Sequence, residues 1–523
     1  MSARKSLEIE VKFAVGPDVE VPTLTALAEV VSADGPDVRN LSAVYHDTAD
    51  LRLTRGKRTL RRRTGGPDGG WHLKTPAEAG RIELQAPLGD EGGAPPTEVL
   101  GPVRALVRND PLTPIAQVDN ERHVWILRDA AGAAVAEFCD DHVTARSLLP
   151  GGEETSWREW ELELDESLAG TTRGEVLLNH AREVFLSAGA EDSDSPSKLA
   201  TALGDSVDNV ELPEDPPKPP AGTAARAVVD ALEANRDRLI DLDPKVRADE
   251  WDSVHQMRVA TRELRSHLQT FRGILEGERF ELVERELKTL ASILGVARDA
   301  EVVAERFENL LARDEAQGLD PHIRERLADD MRDEYRRAHR HVVFALDSDR
   351  YLTLLDELDA LLADPPLAID ETEGTPTDTG AVLGEHLAQA HKSLMKRHKK
   401  AMRDWNDHDL PREEREERFH DVRKAAKKLR YSAEAAGGSG LKTGKLYKAC
   451  KAMQSSLGDF QDTVTAREVL RKKAERAHRR GEDTFGYGVL YQIEYADGIE
   501  ALSDYEDRID AIEEAFAKLR KQL

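Results

Sequence analysis

LEIEVKF, residues 7–13, alternates apolar and charged side chains without a break, and a period of two marks a half-buried strand. Leu7, Ile9, Val11 and Phe13 fall on one face; Glu8, Glu10 and Lys12 fall on the other. Residues 159–165, EWELELD, repeat the pattern, with Glu159, Glu161 and Glu163 opposite Trp160, Leu162 and Leu164. Shorter runs between them follow suit. Arg61 and Arg63 share a face, His72 and Lys74 oppose Trp71 and Leu73, Arg81 and Glu83 oppose Ile82 and Leu84, and Glu137, Cys139 and Asp141 lie together. With Gly and Pro punctuating these runs, residues 1–205 read as mostly strands.

For a single strand of this kind, a sheet with one solvated charged face is the simplest reading. The segregation of charge weakens it here. Acids gather at 8 and 10 and at 159, 161 and 163; bases gather at 61, 63, 74, 81 and 122. Carboxylates about 7 Å apart along one face need a cation or solvent between them. Oxygen ligands without cysteine suit a hard cation, Mg²⁺ or Mn²⁺. Facing arginines and lysines suit phosphate oxygens. If the sheet closes, its charged face becomes a tunnel around a metal-bound polyphosphate.

The chain has 523 residues, enough for roughly two to four domains at about 150 residues each. It contains no run of about 18 uncharged apolar residues, so no membrane-spanning helix is expected. The first residues lead into charged alternation rather than an apolar signal core. The two cysteines, Cys139 and Cys450, exclude a disulfide framework and a cysteine-based zinc site, and fit a reducing, cytoplasmic setting. A net charge of −26 argues against general nucleic-acid coating. Yet residues 391–403 (HKSLMKRHKKAMR) hold six Lys/Arg and no acid, and residues 418–431 (RFHDVRKAAKKLRY) hold six against Asp421 alone. Concentrated basic helices in an acidic chain point to a specific anionic partner.

Residues 211–222, ELPEDPPKPPAG, cannot build a core and read as a semi-rigid linker. The division is therefore 1–205, a linker at 206–222, and 223–523, where helical spacing dominates. A loop at 364–380 splits the second part into halves of about 223–363 and 381–523, and the halves repeat. HQMRVATRELR (255–265) matches HDVRKAAKKLR (420–430) as H-x2-R-x3-[RK]-x2-R, and a second match follows about 40 residues later in each half. On a helix, His255, Arg258, Arg262 and Arg265 form one stripe and His420, Arg423, Lys427 and Arg430 its twin, widened by Lys424. Like charges on adjacent turns cost stability unless an anion offsets them. A solvated face balanced by acids four residues away is the competing reading.

Glu8-Ile-Glu10-Val-Lys12 matches an ExExK motif. Together with Leu60-Arg61-Arg62-Arg63, Lys74, Arg81-Ile-Glu83, Arg122, Glu137 with Asp141, Glu159-Trp-Glu161-Leu-Glu163 and Ser197-Lys198, residues 5–205 resemble the CYTH domain of the triphosphate tunnel metalloenzymes. The resemblance implies an α+β domain with an eight-stranded antiparallel tunnel. Family members hydrolyse inorganic or thiamine triphosphate, and some cyclise ATP. It implies Glu8, Glu10, Asp141, Glu161 and Glu163 as carboxylates for Mg²⁺ or Mn²⁺. Lys12, Arg61, Arg63, Lys74, Arg81, Arg122 and Lys198 would grip phosphate. Cys139 receives no role, His72 is either tunnel wall or phosphate donor, and His46 reads as loop.

Residues 223–523 resemble the CHAD domain on VHQMRVATRELR, ALDSDRY and FHDVRKAAKKLRY. That resemblance implies an all-α bundle that binds inorganic polyphosphate. The residues are His255, Arg258, Arg262, Arg265, Arg337, Arg340, Arg397, His420, Arg423, Lys424, Lys427 and Arg430. The expected function is a metal-dependent inorganic triphosphatase whose helical domain holds polyphosphate, in the cytoplasm and associated with polyphosphate granules. A thiamine triphosphatase or adenylate cyclase, and a non-catalytic polyphosphate-binding protein, are the alternatives. Nucleic acid would call for more aromatic rings beside the basic stretches than Tyr431 and Tyr447.

Overall fold

In the computed structural model, residues 4–77, 80–90, 92–213, 218–220, 224–270, 277–366, 379–437 and 441–520 are described. The expected linker therefore lies partly outside the described residues, at 214–217 and 221–222, and so does much of the expected loop, at 367–378. Contacts group the chain into two units: Met1–Ala291 with Val343–Pro366, and Ser292–Val342 with Leu367–Leu523.

The first unit holds the sheet. Its strands are β1 (Arg4–Glu8), β2 (Glu10–Val15), β3 (Ser32–Asp47), β4 (Thr59–Thr64), β5 (Gly70–Pro76), β6 (Arg81–Ala86), β7 (Thr113–Arg128), β8 (Ala134–Ser147), β9 (Glu154–Leu164) and β10 (Glu191–Asp192). Interspersed are α1 (Arg52–Arg55), α2 (Thr97–Leu100), α3 (Arg104–Val107), α4 (Thr172–Ser187) and α5 (Lys198–Leu203). Among the described residues all strand pairs are antiparallel, in the order β1-β6-β5-β4-β3-β7-β8-β9-β2-β10. The sheet has ten strands among the described residues, against the eight expected. The alternating run that opens the chain breaks at Ile9 into two strands, and β10 adds a two-residue edge. That break is what closes the sheet. Glu8 pairs with Arg81 on β6, and Glu10, two residues on, pairs with Glu163 on β9 near the opposite edge. One continuous segment thus links both ends of the sheet, leaving only two short strands, β1 and β10, as its edges.

Alternation decides what each face buries. Phe13, Phe138, Trp160, Leu162 and Leu164 point outward, where α4 covers them with Leu177, Ala181 and Phe185. Phe13, Phe138 and Trp160 each have a ring centroid within 5.6 Å of the Phe185 ring. Leu60, Trp71, Leu73 and Ala86 are covered by Val99, Val103 and Val107 from the α2–α3 segment. The inner face is polar along part of its length only. Beyond Asp141, Ala43, Tyr45, Val118, Val143 and Ala145 meet Leu199, Ala202 and Leu203 of α5. The Ser197 side chain caps α5 by accepting from the Ala200 N–H, which fixes where that helix begins and sets Lys198 at its first turn.

The remaining helices are α6 (Ala224–Arg247), α7 (Ser253–Thr270), α8 (Glu278–Ala312), α9 (Pro321–Leu346), α10 (Asp349–Ala363), α11 (Thr379–Trp405), α12 (Arg412–Gly437), α13 (Gly444–Arg479), α14 (Phe485–Ala501) and α15 (Tyr505–Leu519). α7 and α12 bury the apolar faces their spacing predicts. Val254, Met257, Leu264 and Leu268 are buried on α7. In the second unit, Phe419, Val422 and Leu429 of α12 join one core with Leu387 and Leu394 of α11, Met453 and Leu457 of α13, and Ile509 and Ile512 of α15.

Candidate functional site: the tunnel and the basic helices

A cavity of about 480 Å³ runs along the polar inner face. Cross-strand neighbours on one face set who meets whom. Glu10 stands opposite Glu163, and Glu163 opposite Glu137. Lys12 stands opposite Glu161, and Arg122 opposite Asp141, which faces Glu159. On the other wall Arg61 lies between Tyr45 and His72, and Lys74 faces Glu83. All seven expected phosphate-gripping residues line the cavity: Lys12, Arg61, Arg63, Lys74, Arg81, Arg122 and Lys198. Of the expected metal carboxylates, Glu8, Glu10, Glu161 and Glu163 line it, whereas Asp141 sits behind the wall, wholly buried.

Two acidic groups differ in how they are neutralised. In the first, one oxygen each of Asp141, Glu159 and Glu161 lie within 4.8 Å of one another, close enough to share a cation. Lys198 reaches all three, at 2.8 Å from Asp141, 2.5 Å from Glu159 and 2.8 Å from Glu161. Arg122 forks onto Asp141 at 2.8 and 2.7 Å and donates to Glu161 at 2.5 Å. Lys12 donates to Glu161 at 2.6 Å, and Asn120 donates to Asp141 at 2.9 Å. Burial alone would push these carboxyls up. The facing Lys12, Lys198 and Arg122 outweigh it and hold Glu161 well below the usual carboxylate range. Lys198 is raised in return: burial opposes its charge, but Asp141, Glu161 and Glu159 overcome that.

The second group is Glu8, Glu10, Glu137 and Glu163. Lys74 pairs with Glu8 at 2.5 Å, and Lys12 with Glu10 at 3.1 Å. Glu163 is left between like charges on both sides. Burial, then Glu8, Glu10 and Glu137, push its carboxyl up to about 8, against the pull of Lys74. Like charges directly opposite on a sheet are destabilising. This corner has the carboxylate oxygens that a hard divalent cation requires, and a cation there could take the place of the proton that Glu163 otherwise holds.

The structure also settles several residues that alternation left open. His72 is wall: it is 1% exposed, with Nδ1 at 3.0 Å from Glu83 and Nε2 at 3.0 Å from the Asp68 carbonyl, and burial lowers it to about 4. His46, expected in a loop, lies in β3 with its ring 5.1 Å from that of Trp71. The strand ends one residue later, at Asp47. Its buried carboxylate accepts from the Leu53 and Thr54 N–H groups and so anchors α1. The Cys139 thiol donates to Glu137 at 3.4 Å, and burial drives it well above the ordinary thiol range, so it stays protonated. Arg39 and Tyr45 were missed. Both belong to the lining, but they share the inner parity of β3 with Leu41 and Ala43, so that stretch reads as core.

On the helices, His255, Arg258, Arg262 and Arg265 are half-buried along α7, and His420, Arg423, Lys427 and Arg430 along α12. Arg423 lies against Gly458, where an added Cβ would come 3.2 Å from its guanidinium, and donates to the Gln454 carbonyl at 3.4 Å. Arg430 stacks over Tyr431 and Tyr447 at 5.0 and 5.7 Å, so those two rings already hold a cation. Burial, with Lys424 and Arg423 nearby, lowers His420. Lys424 is exposed and loosely paired with Glu417 and Asp421 at 3.6 and 3.9 Å. Arg337, Arg340 and Arg397 are exposed.

A model of the CYTH domain matches residues 6–188, and a model of the CHAD domain matches residues 230–471. An uncharacterized protein of Mycobacterium tuberculosis strain H37Rv is 39% identical over 528 residues, which cover 99% of this chain and 97% of the relative. Its counterpart in strain CDC 1551 / Oshkosh matches equally well. Among solved structures, the chain is similar to the CHAD domain from the plant Ricinus communis (24% identity, 55% of this chain and 87% of that one, TM-score 0.37). It is also similar to PptA from Streptomyces chartreusis (18%, 55% and 98%, 0.40). A third likeness is to a Hippeastrum protein, studied as an adenylyl cyclase, with a dominant triphosphatase activity (17%, 37% and 94%, 0.25).

Proposed function

Since the chain belongs to the family that joins a CYTH domain to a CHAD domain, we propose that it is a metal-dependent inorganic triphosphatase whose helical domain binds inorganic polyphosphate. The carrying observation is the charge inventory of the tunnel. Nine basic and nine acidic side chains line it, and the acids at Glu8, Glu10, Glu137 and Glu163 are concentrated in one corner. A bare polyanion would be repelled by that corner, and a bare cation by the arginines. A triphosphate that arrives with divalent cations satisfies both.

In this reading Glu8, Glu10 and Glu163 hold the metal, with Glu161 at the border of the two acidic groups. When bound, such a cation supplies charge neutralisation at the phosphate oxygens and makes the phosphorus easier to attack. Arg61, Arg63, Lys74 and Arg81 grip the phosphate chain from the facing wall. Arg122 and Lys198, held in place by Asp141 and Glu159, neutralise the leaving pyrophosphate. A carboxylate of the acidic corner takes the proton of the attacking water. Tyr45 is the one aromatic ring in the lining among the described residues, and its hydroxyl already accepts from Arg61 at 3.4 Å. No ring is therefore offered to stack on adenine or a thiamine ring, which favours inorganic triphosphate. Each helical stripe by itself, that of α7 and that of α12 with Arg430 near the rings of Tyr431 and Tyr447, supplies repeated cationic donors for phosphate oxygens.

The test is phosphate release from tripolyphosphate, ATP and thiamine triphosphate with Mg²⁺, Mn²⁺ or EDTA. Metal-dependent release, largest on tripolyphosphate and lost in Glu10→Ala, is expected. No release from any substrate while polyphosphate is still retained would leave a binding protein.

A further inference from the structure

Arg108, just after α3, combines three unusual properties. Its backbone is left-handed, with φ 59° and ψ −130°, a region that side chains other than glycine rarely occupy. It is 6% exposed. And its guanidinium is committed to a helix some 250 positions further along the chain: Nη1 donates to Asp356 at 2.6 Å and Nη2 lies 2.5 Å from Asp359, both on α10. Arg236 of α6 shares Asp359, and Asn109 donates to Asp349 at the start of α10 at 3.1 Å. The segment bearing Arg108 has a second face. Val99, Val103 and Val107 pack on Leu60, Trp71 and Leu73. These residues are the outer side of the same strands whose inner side carries Arg61 and Lys74.

A strained backbone costs about 1–3 kcal/mol and persists only where its surroundings over-determine it. A buried guanidinium persists only when paired. The aspartates of α10 meet the second condition, and they act on the residue that satisfies the first. We propose that Arg108 is the residue that docks the tunnel wall onto α6 and α10, so that this wall and these helices open and close as one body.

Hydrogen–deuterium exchange on the full chain tests this. Arg108→Gly accepts the backbone conformation but removes the guanidinium. It should speed exchange at least about tenfold in both α10 and residues 97–107, leaving β7–β9 unchanged. Asp356→Asn with Asp359→Asn alters one exposed and one half-buried side chain of α10, leaves the backbone at 108 untouched, and should reproduce the effect. Arg108→Lys keeps the charge but loses the fork, and should fall between. Faster exchange confined to the few amides around position 108 would overturn the proposal. So would unchanged protection of residues 97–107 in the double variant.

Discussion

Replacing Lys198 by methionine keeps the length of the side chain and deletes its charge. Asp141, Glu159 and Glu161 would then face one another within 4.8 Å with Arg122 and Lys12 as the remaining cations. Two unit charges at that distance repel by about 3–4 kcal/mol at an effective dielectric of about 20, and breaking a buried ion pair typically costs about 3–5 kcal/mol. Lys198 is 9% exposed, so little solvent screening reduces that figure. For a unit of this size about 3–5 kcal/mol lowers a melting midpoint by on the order of 10 °C. The assay is thermal unfolding followed by fluorescence of the tryptophans packed on the outside of the sheet, at neutral pH in EDTA. The deficit should shrink at pH 5, where one carboxyl can take up a proton, and should shrink again with Mg²⁺, whose charge can replace that of the ammonium. A midpoint within about 3 °C of wild type would refute the reasoning, because the lysine would then not be what neutralises the cluster.

Glu163, raised from 4.5 to about 8, binds its proton more tightly in the folded state. The metal-free protein should therefore lose stability as pH rises from about 5 through 8, and Glu163→Gln should flatten that slope in urea unfolding. Phe185→Ala removes the ring on which Phe13, Phe138 and Trp160 converge. It should cost about 3–5 kcal/mol by the same measurement, with tripolyphosphate turnover of the folded fraction unchanged. Lys427→Ala with Arg430→Ala should reduce retention of long polyphosphate on a filter severalfold at 0.15 M salt while leaving tripolyphosphate turnover intact; an equal loss of both would mean that the tunnel and the helices do not act separately.

Alternation made the chemistry of the tunnel legible and left its architecture hidden. LEIEVKF placed Glu8, Glu10 and Lys12 on one face, and EWELELD did the same for its glutamates, because a period of two is local. The break at Ile9 has no glycine or proline to mark it, since it arises from pairing with both ends of the sheet. Asp141 carries the same parity signal as Glu163, yet one anchors lysine and arginine behind the wall while the other is exposed to like charges. Position along the tunnel, which separates them, is a tertiary property. The YHDT stretch read as loop because it is polar, yet Tyr45, His46 and Asp47 complete β3 and the chain turns only after them. Arg108 gave no signal: a lone arginine in ALVRND becomes informative only when Asp356 and Asp359 come to face it.

The apolar helix at the far end of the cavity has a consequence for traffic. Leu199, Ala202 and Leu203 fill the barrel interior beyond Asp141, so a phosphate chain cannot be threaded through that end. Under the proposed function, a phosphate chain that enters would have to leave by the same end. If the proposed triphosphatase reading holds, such a cul-de-sac would keep pyrophosphate in the path of the next substrate, and turnover would be paced by how quickly the pocket empties.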